Sequence, residues 1–231
     1  MTAKQTSKSL RDAEARAKKL YAAVQKKKLI VPGKTESALS KDIMALAKEM
    51  FGVKKYWHKR IVRSGANTLL PYRENPPDLT LQDDDILFFD FGPVFADWEA
   101  DLGATFVLGK NKRKKKLAAD VAKAWDAASA YWRKHPDITC AQLYNHVCAL
   151  AKKAGWEFGH YHCGHLVGKF PHEKTEGDGD ELYIRADNPR KMRELGANGE
   201  PLRWILEIHF IDRAAEIGGF QEALLREPDE P

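Results

Sequence analysis

Cysteine is scarce: there are three in 231 residues, Cys140, Cys148 and Cys163, and no two form a Cys-x-x-Cys pair. An odd count without that spacing argues against a disulfide framework and for reduced, mostly buried thiols, as in cytoplasmic proteins. Long apolar runs are missing too. No stretch reaches the ~18 consecutive apolar residues of a membrane-spanning helix, and Met1 to Ser9 is too polar for a signal peptide. The expectation is a cytoplasmic protein with no membrane partner. Glycine (16) and proline (11) are at ordinary levels, which excludes a collagenous or largely disordered chain. Neither sign of charge dominates, with 38 Lys+Arg against 33 Asp+Glu and a net charge of +5. The positive residues gather in Lys18-Lys19, Lys26-Lys27-Lys28 and the run Lys110 to Lys116. No aromatic-interleaved motif accompanies them, so they read as solvated faces rather than a nucleic-acid site.

What the chain does have is an internal repeat. Pro32-Gly-Lys-Thr-Glu-Ser-Ala-Leu, running on to Ala45-Leu-Ala-Lys48, matches Pro136-Asp-Ile-Thr-Cys-Ala-Gln-Leu, running on to Ala149-Leu-Ala-Lys152, at a constant offset of 104. Both copies open with Pro-x-x-Thr before apolar residues at helical spacing, which makes Thr35 and Thr139 expected N-caps. A further helical segment precedes each copy, Leu10 to Leu29 and Leu117 to Arg133, and strand-like runs follow. After the first pair come Arg60-Ile-Val, Ile86-Leu-Phe-Phe-Asp-Phe and Ala104-Thr-Phe-Val-Leu; after the second, Gly164-His-Leu-Val and Trp204-Ile-Leu-Glu-Ile-His-Phe-Ile. The order helix, helix, strands, given twice, predicts an α+β protein. It forms one domain over residues 1–231, with halves of about 1–116 and 117–231.

Chemistry is expected where acids interrupt apolar strands. Asp90 sits inside Ile-Leu-Phe-Phe-Asp-Phe, and Asp101 opens the next strand-like run eleven residues on. Glu207 interrupts Trp-Ile-Leu-Glu-Ile-His-Phe, and Glu222 follows what reads as a tight Gly218-Gly219 turn. A carboxylate in such a place is costly unless paired or bound to a metal, and four of them, two per half, are best explained by a shared cation. His160, His162, His165 and His172 crowd into thirteen residues; His165, between Gly164 and Gly168, is the best ligand candidate. Carboxylates with one imidazole suit manganese, cobalt, iron or zinc rather than copper.

The ordered set of Asp90, Asp101, Gly164-His-Leu-Val-Gly-Lys-Phe-Pro-His-Glu173, Ile205-Leu-Glu207 and Glu222 resembles the pita-bread metallopeptidases. These comprise methionine aminopeptidase, aminopeptidase P and prolidase, with creatinase as a relative. The resemblance extends over roughly Leu29 to Leu225 and implies the pita-bread (creatinase/aminopeptidase) fold. It also implies two divalent metal ions (Mn, Co, Fe or Zn). Asp90 would chelate one ion, Asp101 and Glu222 would bridge both, and His165 and Glu207 would complete the other. His172 and Glu207 would be catalytic, His172 by contacting the substrate. The implied activity is hydrolysis of a peptide or small amide by a metal-bridged water, as in an aminopeptidase or Xaa-Pro peptidase; a homodimer is compatible with it. Where the family usually places a substrate-facing His after Gly65-x-Asn67, this chain has Pro71-Tyr72-Arg73.

Two rival readings remain. His160-x-His162-x-x-His165 imitates a zinc motif of metallo-β-lactamase-like hydrolases, but Gly164 stands where that motif needs Asp. A catalytically silent pita-bread module binding RNA or protein through its basic runs is the other. Between His172 and Trp204 the charged, Gly-containing stretch Lys174 to Arg203 is expected as a lid or binding loop.

Overall fold

The computed structural model describes residues 2–171, 179, 182–196 and 199–227. Among the described residues four α-helices are formed, in two pairs: α1 (Ala3–Lys26) with α2 (Glu36–Phe51), and α3 (Lys112–Lys134) with α4 (Cys140–Ala154). Both expected N-caps are in place. Thr35 Oγ1 accepts from the Ala38 amide at 3.1 Å, and Thr139 Oγ1 from the Gln142 amide at 3.2 Å. The Gln142 side chain bonds back to the Thr139 amide, a reciprocal cap that satisfies two otherwise free donors. Each of these helices ends on a glycine at positive φ, Gly52 (68°) and Gly155 (82°), where a β-carbon would be strained.

The strands are β1 (Ile61–Ser64), β2 (Ile86–Phe91), β3 (Val94–Phe95), β4 (Trp98–Glu99), β5 (Leu102–Val107), β6 (Glu157–Phe158), β7 (His162–Leu166), β8 (Tyr183–Arg185), β9 (Trp204–Asp212) and β10 (Ile217–Leu224). The main sheet runs β1-β2-β5-β10-β9-β7-β8, with β6 on β9, and all these pairings are antiparallel. The order is nearly its own mirror image: β1-β2-β5 of the first half meet β10-β9-β7 of the second. The seam between β5 and β10 is reinforced by Thr105, whose Oγ1 accepts from the Phe220 amide at 2.6 Å and donates to the Phe220 carbonyl at 2.7 Å.

Strand alternation divides the residues between two faces. Leu87, Phe89 and Phe91 pack with Leu20, Leu39 and Ile43 of α1 and α2. Leu206, Ile208 and Phe210 pack with Leu117, Val121 and Leu143 of α3 and α4. The residues between them, including Asp90, Glu207 and His209, are turned away from the helices. Both faces are buried in β2 and almost throughout β9, which is why these strands read as continuous apolar runs.

One sequence expectation is corrected. Gly218-Gly219 is no turn but the interior of β10, paired with Ile211 and Phe210. These glycines serve close packing: a β-carbon on Gly218 would strike the Thr68 carbonyl, and one on Gly219 the Leu117 side chain. The chain reverses earlier, at residues 213–216. The stretch 174–203 lies partly outside the described residues, and its described part is not free loop. Ile184 and Met192 are buried, while the carbonyls of Asn188 and Arg190 accept from the first free amides of α4, Ala141 and Cys140, at 2.9 and 3.0 Å. Cys140 and Cys163 are buried, and all three cysteines are unbridged. No helix among the described residues is long and apolar enough to cross a membrane.

Candidate metal centre

Sheet register alone assembles the acidic cluster. Asp90 of β2 lies opposite Gly103 of β5, Gly103 opposite Glu222 of β10, and Glu222 opposite Glu207 of β9. The three acids therefore share one transverse row, with a glycine at its centre. A β-carbon on Gly103 would strike the Phe220 ring and crowd Cβ of Glu222. Asp101, two residues before Gly103, points to the same face. His165 reaches the row from β7: its Nε2 stands 3.1 Å from Asp101 Oδ2, 3.4 Å from Glu207 Oε1 and 3.9 Å from Glu222 Oε1. All five residues singled out in the sequence as ligands thus converge. His172, the expected substrate contact, lies outside the described residues.

Surrounding structure holds this row in place. Glu36 accepts from the Ser64 and Leu79 amides and from Asn67 Nδ2, tying the start of α2 to the end of β1. Arg63 donates to the carbonyls of Leu70, Pro71 and Glu74, which shapes the loop carrying Tyr72 and Arg73. Glu99 accepts from the Gly168 amide at 3.1 Å, fixing the segment after β7.

The cluster forms the floor of a cavity of about 240 Å³, whose walls include Trp57, Tyr72, Tyr161 and Tyr183. The acids are almost wholly shielded: Asp90 is 8% exposed, Asp101 2%, Glu207 8% and Glu222 2%. Burial raises Asp90 to about 6 and Glu207 to about 8, and lifts Glu222 well above the usual carboxylate range, with neighbouring carboxylates adding to it. Burial acts on Asp101 in the same direction, but His58 and His165 outweigh it and hold this acid at about 2. His165 goes the opposite way from a buried imidazole, up to about 9, because Asp101 and Glu207 overcome its desolvation.

His58 is the site residue that sequence reasoning missed. It lies just before β1, and its Nε2 is 3.1 Å from Asp101 Oδ1 and 3.5 Å from Asp90 Oδ1. Its one sequence signal is the repeat, since an offset of 104 carries residue 58 into the His160 to His165 cluster. The histidines of that cluster are now distinguished by their hydrogen bonds. Nδ1 of His160 accepts from the His162 amide, and Nδ1 of His162 from the Gly164 amide. Both rings are held neutral, chiefly by burial, His160 falling to about 3 and His162 well below its ordinary value. Nδ1 of His165 instead donates to the Leu166 carbonyl at 2.7 Å, which turns Nε2 to the acids.

These residues fit divalent metal. Among the described residues, Asp90 Oδ1 and Glu222 Oε2 are buried without a hydrogen-bond partner, a costly condition that a cation relieves. Ligand atoms of Asp101, His165 and Glu222 lie within 4.8 Å of one another, as do those of His58, Asp90 and Asp101. Oxygen-rich spheres with imidazole suit Mn, Co, Fe or Zn.

The profile of metallopeptidase family M24 matches residues 8–196. The chain belongs to that family. Among solved structures it is similar to a prolidase from Thermococcus sibiricus, with 22% identity and a TM-score of 0.77 over 100% of this chain and 58% of the other. An X-Pro aminopeptidase from Thermotoga maritima gives 16%, 0.75, 97% and 59% for the same measures. A dipeptidase from Mycobacterium ulcerans gives 22%, 0.73, 95% and 54%. The chain thus spans somewhat more than half the length of these proteins, and the expected pita-bread fold is the one observed. No curated protein is significantly similar to it in sequence.

Proposed function

We propose that the chain is a divalent-metal-dependent peptidase that cleaves short peptides, in the aminopeptidase or Xaa-Pro class. The observation that carries this reading is the buried row of Asp90, Glu222 and Glu207 with Asp101 and His165 beside it, two of its carboxylate oxygens lacking a hydrogen bond. Asp90 and Asp101 would hold one cation, His165 and Glu207 a second, with Asp101 and Glu222 between them. When bound, such cations would polarise a carbonyl and acidify a water.

The chain's own residues supply the rest. Glu207, which lines the cavity, would accept and return a proton near the scissile bond. His172 is assigned the substrate carbonyl; His172→Ala should keep its metal while kcat/KM falls roughly 10²- to 10⁴-fold. The walls of Tyr72, Tyr161 and Tyr183 favour an apolar side chain or a proline ring. At the mouth, the Arg73 guanidinium lies 5.4 Å from the Tyr161 ring centre and makes no ion pair among the described residues. The neighbouring Arg185 is paired with Asp187 at 2.9 Å. Arg73 would therefore offer a positive charge for the carboxylate of a short peptide.

The test is a screen of dipeptides, Xaa-Pro dipeptides and simple amides with chelated protein, alone and after Mn²⁺ or Co²⁺. Hydrolysis that appears with metal and vanishes in Glu207→Gln supports the reading. Full hydrolysis by the chelated protein would sink it, and so would a complete lack of turnover on every peptide with metal bound.

A further inference from the structure

His58 stands in the carboxylate cluster with the same geometry as His165. Its Nδ1 donates to the Lys59 carbonyl at 2.7 Å, the carbonyl of the next residue, as Nδ1 of His165 does to Leu166 at 2.7 Å. A histidine locked in this way presents the Nε2 lone pair of its neutral tautomer in a fixed direction, the usual support for a metal-ligating imidazole. Both Nε2 atoms converge on Asp101, one at each oxygen, at 3.1 Å in each case.

His58 is enclosed beside these acids. Its side chain is only 8% exposed, so it faces the acids rather than the cavity mouth. Room has been made for it: a β-carbon on Gly92 would strike the His58 and Trp57 rings. The spacing is that of donors around one ion. Donors ~2.1 Å from a cation stand about 3.0–3.4 Å apart at octahedral or tetrahedral angles, and His58 Nε2 lies 3.1 and 3.5 Å from Asp101 and Asp90. Of those two acids, Asp90 Oδ1 is the oxygen left without a hydrogen bond.

We propose that His58 is a sixth metal ligand, binding through Nε2 the cation held by Asp90 and Asp101, so that each half of the fold gives one imidazole to its own ion. The proposal rests on the metal-dependent reading above. It makes the centre nearly symmetric, with His58, Asp90 and Asp101 on one side and His165, Glu207 and Glu222 on the other. Trp57 packs against both imidazoles, its ring centre 4.4 Å from that of His58 and 5.3 Å from that of His165.

Cobalt binding tests this without reference to turnover. Wild-type protein freed of metal is titrated with Co²⁺ by calorimetry, and the loaded protein is examined by proton NMR. An imidazole bound through Nε2 shows its Nδ1 proton as a strongly shifted exchangeable line, and both Nδ1 protons here are protected by carbonyls. Two such lines are expected in wild type and one in His58→Ala, with one class of Co²⁺ site weakened at least tenfold in that variant. His165→Ala should weaken the other class. A single shifted line in wild type, or unchanged Co²⁺ affinities in a folded His58→Ala protein, would overturn the assignment and leave metal dependence standing. Intact Co²⁺ binding with reduced kcat would make His58 a substrate contact instead, also against the proposal. Wild type that binds no Co²⁺ at all would remove the metal reading itself. The wild-type spectrum decides the matter even if the alanine variant does not fold.

Discussion

Glu207 and Glu222 stand directly opposite each other across β9 and β10, two buried carboxyls on neighbouring strands. Ionising both without a cation is costly, since burial and like charge act together. Mn²⁺ or Co²⁺ should therefore raise the Tm of chelated protein, by the equivalent of ~2.7 kcal/mol at a hundredfold excess over Kd. Glu222→Gln removes the cost of burying or protonating this carboxyl, so its metal-free form should melt higher than wild-type apoprotein while its metal increment shrinks. Calorimetry with and without chelator checks both. No metal-dependent shift in wild type would count against the centre.

The sequence made some of this legible and hid the rest for physical reasons. Thr35 and Thr139 could be read as caps because capping is local, decided within three residues. Asp90 and Glu207 stood out because a carboxylate inside an apolar strand demands compensation, whatever the rest of the fold. Gly218 and Gly219 were misleading. Paired glycines usually mark turns, and the contacts that require them here, Thr68 and Leu117, lie about a hundred residues or more away. His58 was nearly silent for a similar reason: it stands among Lys54, Lys55, Lys59 and Arg60, outside any strand-like apolar run, and the repeat alone hinted at it. Only the sheet brings it to Asp101.

Gly103 leaves the centre of the acidic row open. In Gly103→Ala the new methyl meets the Phe220 ring and Cβ of Glu222, so the strands must part or Glu222 must turn. The expected cost is about 1–3 kcal/mol, typical of overpacking, together with weaker metal binding. Urea unfolding and elemental analysis of the purified variant give the two numbers. A variant as stable and as metal-rich as wild type would show that the row tolerates a side chain there.

Arg73 lies at the mouth, away from the carboxylates, so its loss should spare the metal. Removing one solvent-exposed charge contact is worth about 1 kcal/mol, which predicts a roughly fivefold rise in KM for a free-acid dipeptide in Arg73→Ala. The corresponding dipeptide amide should be unaffected, and kcat should change little for either. Equal effects on acid and amide would mean that Arg73 shapes the cavity rather than reading a carboxylate.

His160 should make the fold acid-sensitive. Burial, then the nearby His209, holds it at about 3 in the folded protein, against about 6.5 when unfolded. The unfolded chain thus binds more protons between these values, and stability falls as pH drops from about 6.5 toward 3. Protonation would also place a donor on Nδ1 against the His162 amide, which now donates to it at 3.4 Å. His160→Gln lacks this linkage. Relative to that variant, wild type should lose on the order of 1–2 kcal/mol between pH 7 and pH 5, measured by urea unfolding at both values. The two proteins share every other titrating group, so carboxylate effects cancel in the difference. A difference that stays constant with pH would show that His160 titrates as an ordinary exposed imidazole.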